Sequence, residues 1–134
     1  MTQPAPPVTA LDRAGLVVVA LCGALAALIE TLLVPLYDGS VIVPVSVVLA
    51  LASNAVLPRL ARALVPTTFA ALLPFATWLI VVIGFVVIAR PEGDVILPGA
   101  PTGAEYVTYA VLLGGALVGT VTIVMLTPSP KTRR

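Results

Sequence analysis

The chain has 134 residues, of which 60% are hydrophobic and only 10% are charged, and its formal net charge is +1. Its mean hydropathy of +1.15 is far above that of ordinary globular domains. This composition excludes a water-soluble fold, because the polar remainder is too short to fold alone. We expect a lipid bilayer as its surroundings and no nucleic-acid partner.

Four apolar stretches occupy residues 14–36, 41–64, 67–89 and 104–126. Each is close to the ~20 residues that a helix needs to cross ~30 Å of hydrocarbon. Strands of a membrane barrel would instead show ~10-residue segments of alternating polarity. The sequence therefore predicts an all-α polytopic membrane protein with four transmembrane helices.

The segments outside this transmembrane domain, residues 14–126, are short. Residues 1–13 and 127–134 are rich in proline and polar side chains, which predicts disordered ends, the second of them basic. The motif Ala24-Leu25-Ala26 resembles a signal cleavage site, but apolar residues continue to Leu36, so we expect the first helix to be retained.

The basic residues predict the orientation of the helices. Six of the seven fall on one side of the predicted topology: Arg13, Arg59, Arg62, Lys131, Arg133 and Arg134. The positive-inside rule makes that side cytoplasmic, with both termini inside and the plasma membrane as the location. Short connections at residues 37–40 and 65–66 predict antiparallel neighbours, and hence an antiparallel four-helix bundle.

Small and polar residues cluster on one face of each predicted helix. In chain order these faces contain Gly23, Ala27 and Glu30; Ser46, Ala50, Ser53 and Asn54; Ala70, Pro74, Thr77 and Gly84; and Gly115, Gly119 and Thr122. Helices in lipid associate through close packing and interhelical hydrogen bonds, so we expect these faces to meet. The spacing of Gly115 and Gly119 is also compatible with a homodimer.

Glu30 is the first candidate functional residue, because a carboxylate in hydrocarbon is costly and usually has a partner or lines a cavity. Three interpretations stay open: a structural ion pair with Arg90, a role in handling a proton or cation, and solvation at the external interface. The predicted position, about two turns from the external end of the first helix, suits the last of these.

Other polar residues in the spans have structural interpretations. Asn54 is typical of a residue that holds helices together, and Trp78 is expected to fill space between helices with its indole N–H bonded to a neighbour. Cys22 is the single cysteine and is expected to act as a small packing residue. Without histidine or a catalytic motif, we expect no metal site, no cofactor and no enzymatic activity.

The run Arg90-Pro91-Glu92-Gly93-Asp94 follows the third predicted helix. It is expected to end the helix and form a turn, in which Glu92 and Asp94 hold the Arg90 guanidinium or cap loop amides. The alternative is an external docking site for another protein.

With Trp78-Leu79 upstream and Tyr109 and Leu112-Leu113-Gly114-Gly115 downstream, this run resembles an uncharacterised actinobacterial family of small four-span membrane proteins, catalogued as a domain of unknown function. The resemblance covers residues 14–126. It implies four spans and a plasma-membrane location, and it supplies no activity, cofactor or catalytic residue.

Two functions fit these observations. The first is a non-enzymatic accessory or scaffold subunit of a membrane assembly, with other membrane subunits or a second copy as partners. The second is a small proton- or cation-coupled transporter similar to the small multidrug resistance architecture. Three features oppose the second: a single orientation fixed by charge, a glutamate toward the external face, and few aromatic residues for a cation site.

Overall fold

The computed structural model of the protein describes residues 7–34, 36–38, 41–87 and 104–128. Four helices in these ranges are long and apolar enough to cross a membrane: Ala10–Leu32, Val45–Leu64, Thr68–Val87 and Tyr106–Leu126. The prediction of four helices of spanning length and composition is confirmed.

Helix α1 covers Ala10–Leu32, α2 covers Val45–Leu64 and α3 covers Thr68–Val87. The fourth helix consists of α4 (Ala104–Tyr109), a π-helical turn (Ala110–Gly114) and α5 (Gly115–Leu126). Between α1 and α2, two short strands, β1 (Tyr37–Asp38) and β2 (Val41–Ile42), pair in antiparallel fashion. Apart from this two-residue ladder, the described secondary structure is helical.

Helix α1 begins four residues before the predicted start at residue 14, because a capping box precedes it. The Asp12 amide donates to Thr9 Oγ1 (3.2 Å), and the Thr9 amide donates to Asp12 Oδ2 (2.8 Å). These bonds satisfy backbone donors that the first helical turn leaves without partners. The helix also ends earlier than predicted, at Leu32, and the proline at position 35 of the sequence disfavours helical backbone just before it.

The predicted start of the second span at residue 41 is wrong. Val41–Ile42 form β2, with Tyr37 opposite Ile42 in the register, and α2 begins only at Val45. The Val43 amide donates to the Leu36 carbonyl (3.0 Å), which extends the pairing by one bond. Two features of the residues suit this pairing: β-branched residues favour strand, and Pro44 suits the position just before a helix.

Helices α2 and α3 each contact both α1 and α5, and they also contact each other. The buried faces are Gly23, Ala27, Glu30 and Thr31 on α1; Ser46, Ala50, Asn54, Pro58 and Ala61 on α2; Ala70, Ala71, Pro74, Trp78 and Val82 on α3; and Gly115, Gly119, Thr122 and Ile123 on α5. These faces largely match the predicted ones. Gly84 is the exception, because a β-carbon there would meet no atom within 4 Å.

The outward-facing surface of the helices is made of large apolar side chains. Leu21, Leu25, Ile80, Val87 and Leu117 are each between 58% and 70% exposed. The helices thus have small and polar residues inside and leucine, isoleucine and valine outside. This is the reverse of the distribution in a water-soluble protein. This distribution suits hydrocarbon, where small residues allow helix backbones to approach closely.

The π-helical turn aligns the two halves of the fourth helix. Val107, Val111, Gly115 and Gly119 are all buried at a spacing of four residues. In an uninterrupted α-helix, three such steps would rotate the last position by about 120° away from the first. Because one π-helical turn accommodates one additional residue, the rotation falls to about 20° and all four positions face the interior.

Candidate functional site

The candidate site is the buried carboxylate of Glu30, which joins three helices. Its side chain on α1 is only 1% exposed. Ser53 Oγ of α2 donates a hydrogen bond to Glu30 Oε1 (2.7 Å), and Trp78 Nε1 of α3 donates to Glu30 Oε2 (2.6 Å). Each carboxylate oxygen therefore has a neutral donor from a different helix.

The direction of the side chain explains why Glu30 reaches so far inward. Although Glu30 lies two residues from the end of α1, side chains on a helix tilt toward its N-terminus. The carboxylate therefore points back toward the middle of α1, where it meets Ser53 and Trp78 near the middle of their own helices. Extension toward the C-terminal end of α1 would oppose this tilt.

The structure bears unequally on the three interpretations of Glu30. Solvation at the interface is contradicted, since the side chain is enclosed and bonded within the chain. The ion pair with Arg90 stays a prediction, because Arg90 lies outside the described residues, as do Glu92 and Asp94. The proton- or cation-handling role also stays a prediction.

Trp78 occupies the interior position predicted for it, and its indole N–H has a partner. Its ring stacks with Phe75, with centroids 6.2 Å apart and planes inclined by 11°. On the opposite helix, a β-carbon at Gly115 would lie 2.6 Å from the Trp78 ring, and one at Gly119 would lie 2.4 Å from Phe75. The two glycines of α5 therefore make room for the two aromatic rings of α3.

Asn54 lies beside the same two glycines. It is 2% exposed, and its Nδ2 donates to the Ala50 carbonyl (3.0 Å) on its own helix. A β-carbon at Gly115 or Gly119 would lie 3.2–3.3 Å from its amide group. The glycine face of α5 is thus packed against α2 and α3 within the chain, and a homodimer stays a prediction.

Helices α1 and α3 make a close contact about two turns before Glu30 along α1. A β-carbon at Gly23 would lie 2.3 Å from the Pro74 carbonyl oxygen, so the α1 backbone rests against the α3 backbone. Thr77 Oγ1 donates to the Ala20 carbonyl (2.7 Å), which adds a hydrogen bond between the helices. This contact fixes the spacing of α1 and α3 and thereby the distance between Glu30 and Trp78.

An opening between α1 and α2 leads to the carboxylate. Its volume is about 220 Å³, smaller than the ~300–1,000 Å³ typical of pockets for drug-sized ligands. It is lined by Ala26, Ile29, Glu30, Leu49, Ala52 and Ser53. The opening continues into a shallow apolar groove that includes Cys22. Cys22 is exposed, so its predicted packing role is wrong.

Tyr106 and Tyr109, at the start of the fourth helix, are 73% and 55% exposed. Within the described ranges, no group of three or more histidine, cysteine, aspartate or glutamate side chains is close enough to hold a metal ion.

The sequence predicts Ser53 on the interior face of its helix, but it predicts neither the bond from Ser53 to Glu30 nor the stacking of Phe75 on Trp78. The available signal was the rule that polar side chains within a span bond to one another. That rule gives no pairing between helices, because pairing depends on their relative height and rotation.

Comparisons with protein families, with curated proteins and with solved structures find no match to this chain. The family resemblance based on residues 90–94 stays a prediction, and those residues lie outside the described ranges.

Proposed function

We propose that this chain is a non-enzymatic accessory or scaffold subunit of a plasma-membrane assembly. In this proposal it forms an antiparallel four-helix bundle with both termini in the cytoplasm. The observation that carries the proposal is the apolar groove between α1 and α2, which is open on the outer surface of the helices. We assign this groove to a transmembrane helix of another subunit.

The contact between the ends of α1 and α2 supports the topology. A β-carbon at Gly15 would lie 3.1 Å from Leu64 Cδ1, so the start of α1 adjoins the end of α2. Arg13, Arg59 and Arg62 belong to these same helix ends. A cluster of basic residues at one end of the two helices favours a cytoplasmic location for that end.

The lining of the groove supports a helix as its occupant. Its walls are small or apolar side chains: Cys22, Leu25, Ala26, Ile29, Ala52, Ser53, Val56 and Leu57. Ala26 and Ala52 have short side chains, which allow the backbone of a second helix to approach closely, as in most helix contacts in membranes. The resemblance to four-span proteins fits this assignment, and the run at residues 90–94 would provide an additional external contact.

A substitution that fills the groove tests the proposal. We expect Ala52→Leu to release the partner subunit, because the larger side chain occupies the space that the partner helix needs. The measurement is native mass spectrometry after purification in mild detergent, where the wild type runs as a heteromer and the variant as the 13.7 kDa chain alone.

Ala76→Leu is the matched control, because Ala76 is also exposed but lies on α3, away from the groove. This variant should keep the heteromer. Wild-type protein that purifies without any other subunit, or equal retention of the partner by both variants, would count against the proposal.

A second candidate function is the small proton- or cation-coupled transporter. The buried carboxylate favours it, since two of the features that opposed it are altered by the structure. The Glu30 carboxyl group points toward the middle of the helices rather than the external face, and Trp78 lies directly against it, stacked with Phe75. The single orientation indicated by the basic residues still opposes it.

Reconstituted vesicles separate the two functions. A transporter is expected to show substrate uptake driven by a proton gradient, and Glu30→Gln should reduce that uptake to the level of empty vesicles while the protein stays folded. Uptake that is equal in wild type and Glu30→Gln would remove Glu30 from any transport mechanism.

A further inference from the structure

The Ser53 hydroxyl lies between two acceptors. Its oxygen is 2.7 Å from Glu30 Oε1 and 3.2 Å from the carbonyl oxygen of Ala50. A hydroxyl group has one proton to donate and can also accept hydrogen bonds. At any moment Ser53 therefore donates either to the carboxyl group or to the Ala50 carbonyl, which also accepts from Asn54 Nδ2 (3.0 Å).

These two directions match the two protonation states of Glu30. When the carboxylate is ionised, Ser53 donates to Oε1. When a proton from solvent forms an O–H bond at Oε1, that group donates to Ser53 Oγ, and the Ser53 proton turns to the Ala50 carbonyl. Trp78 Nε1, which can only donate, keeps its bond to Oε2 in both states.

We infer that Glu30, Ser53 and the Ala50 carbonyl form a proton-binding site inside the helices. The site holds or releases one proton without movement of any non-hydrogen atom. This property is unusual for a buried carboxyl group, because a change of protonation normally leaves a donor or acceptor without a partner, at a cost of about 1–3 kcal/mol. The inference goes beyond the scaffold function, and it specifies where the transporter function would bind its proton, but its tests do not require transport.

The helices packed around Glu30 bring no described charge to it. Helices α3 and α5 contain no aspartate, glutamate, lysine, arginine or histidine. On α1 the charged residues are Asp12 and Arg13, and Arg13 is 17 positions, or about 25 Å, away along the helix. On α2 the charged residues are Arg59 and Arg62, and both lie beyond Ser53 toward the C-terminal end of the helix. In the described part of the chain, the balance between the two states thus depends on neutral hydrogen bonds.

Two optical signals report this site in the intact protein in detergent. Infrared difference spectra detect the C=O stretch of a protonated carboxyl group, and Trp78, the single tryptophan, reports by its fluorescence because its indole bonds to the same group. We expect a carboxyl band and a change in Trp78 emission that titrate together with pH, as one proton binds.

Glu30→Gln is the matched control. Its amide can donate to Ser53 and accept from Trp78, so it copies the protonated state and cannot titrate. The carboxyl band and the pH dependence of Trp78 emission should both be lost. Ser53→Ala should keep the titration but move the frequency of the band, because the carboxyl O–H loses its acceptor.

Three results would overturn the inference: a wild-type spectrum without a titrating band over the pH range in which the protein is folded, the same band in Glu30→Gln, or an unchanged band in Ser53→Ala. If Ser53→Ala does not fold, Ser53→Thr keeps the hydroxyl and should retain the wild-type band, whereas a shifted band in this variant would count against the role of the hydroxyl.

Discussion

Gly23→Ala is expected to destabilise the folded protein by about 1–3 kcal/mol, the range typical of overpacked interiors. The added methyl group would lie 2.3 Å from the Pro74 carbonyl oxygen and 2.8 Å from Thr77 Oγ1. A backbone carbonyl cannot rotate away as a side chain can, so α1 and α3 must separate. Their separation also lengthens the bond between Thr77 and the Ala20 carbonyl.

The measurement is unfolding in a denaturing detergent, followed by the fluorescence of Trp78, which gives the free-energy difference. Gly84→Ala provides the matched control: it is the same substitution within a span, at a site where the new β-carbon meets nothing within 4 Å. This control should be neutral or slightly stabilising, because alanine favours helix over glycine. Equal behaviour of the two variants would mean that α1 and α3 are not in close contact.

Glu30→Ala is expected to destabilise the protein by about 2–4 kcal/mol. The substitution leaves the Trp78 indole N–H buried without an acceptor and creates a cavity among α1, α2 and α3. Ser53 is less affected, because its hydroxyl can turn to the Ala50 carbonyl. Unfolding in a denaturing detergent, followed by the fluorescence of Trp78, gives the free-energy difference.

Glu30→Gln separates the loss of hydrogen bonds from the loss of charge. Because glutamine fills the same volume and offers one donor and one acceptor, its stability should be close to that of the wild type. A Glu30→Ala variant as stable as Glu30→Gln would show that the bonds to Ser53 and Trp78 contribute little. A destabilised Glu30→Gln would instead indicate that a charged partner, such as Arg90, stabilises the carboxylate.

Much of the fold follows from properties that act along a single helix. The length of each apolar run predicts a span, and a periodicity of three to four residues predicts which face is interior. The sequence therefore predicts that Gly23, Ala50 and Gly115 are interior, and they are buried. These predictions succeed because they depend on the surrounding hydrocarbon and on helix geometry alone.

The remaining features depend on contacts between segments, which sequence periodicity does not contain. The partners of Glu30 depend on the relative height of α1, α2 and α3, so Ser53 could be placed on a face but not paired. The start of α2 depends on a short strand pair around residues 37–42, where apolar β-branched residues continue the pattern of the span. Residues 41 and 42 would be apolar and β-branched whether they formed a strand or the first turn of the helix. Only the strand pairing distinguishes these two structures.

Because of the π-helical turn at Ala110–Gly114, the effect of deleting a residue from the fourth helix depends on where the residue lies. A residue removed from this turn would convert it to regular α-helix and leave both halves facing the interior as they do now. A residue removed from α5 would instead turn everything beyond it by about 100° and carry Gly119 or Thr122 out to the lipid. Natural variation in the length of this helix should therefore concentrate in these five residues.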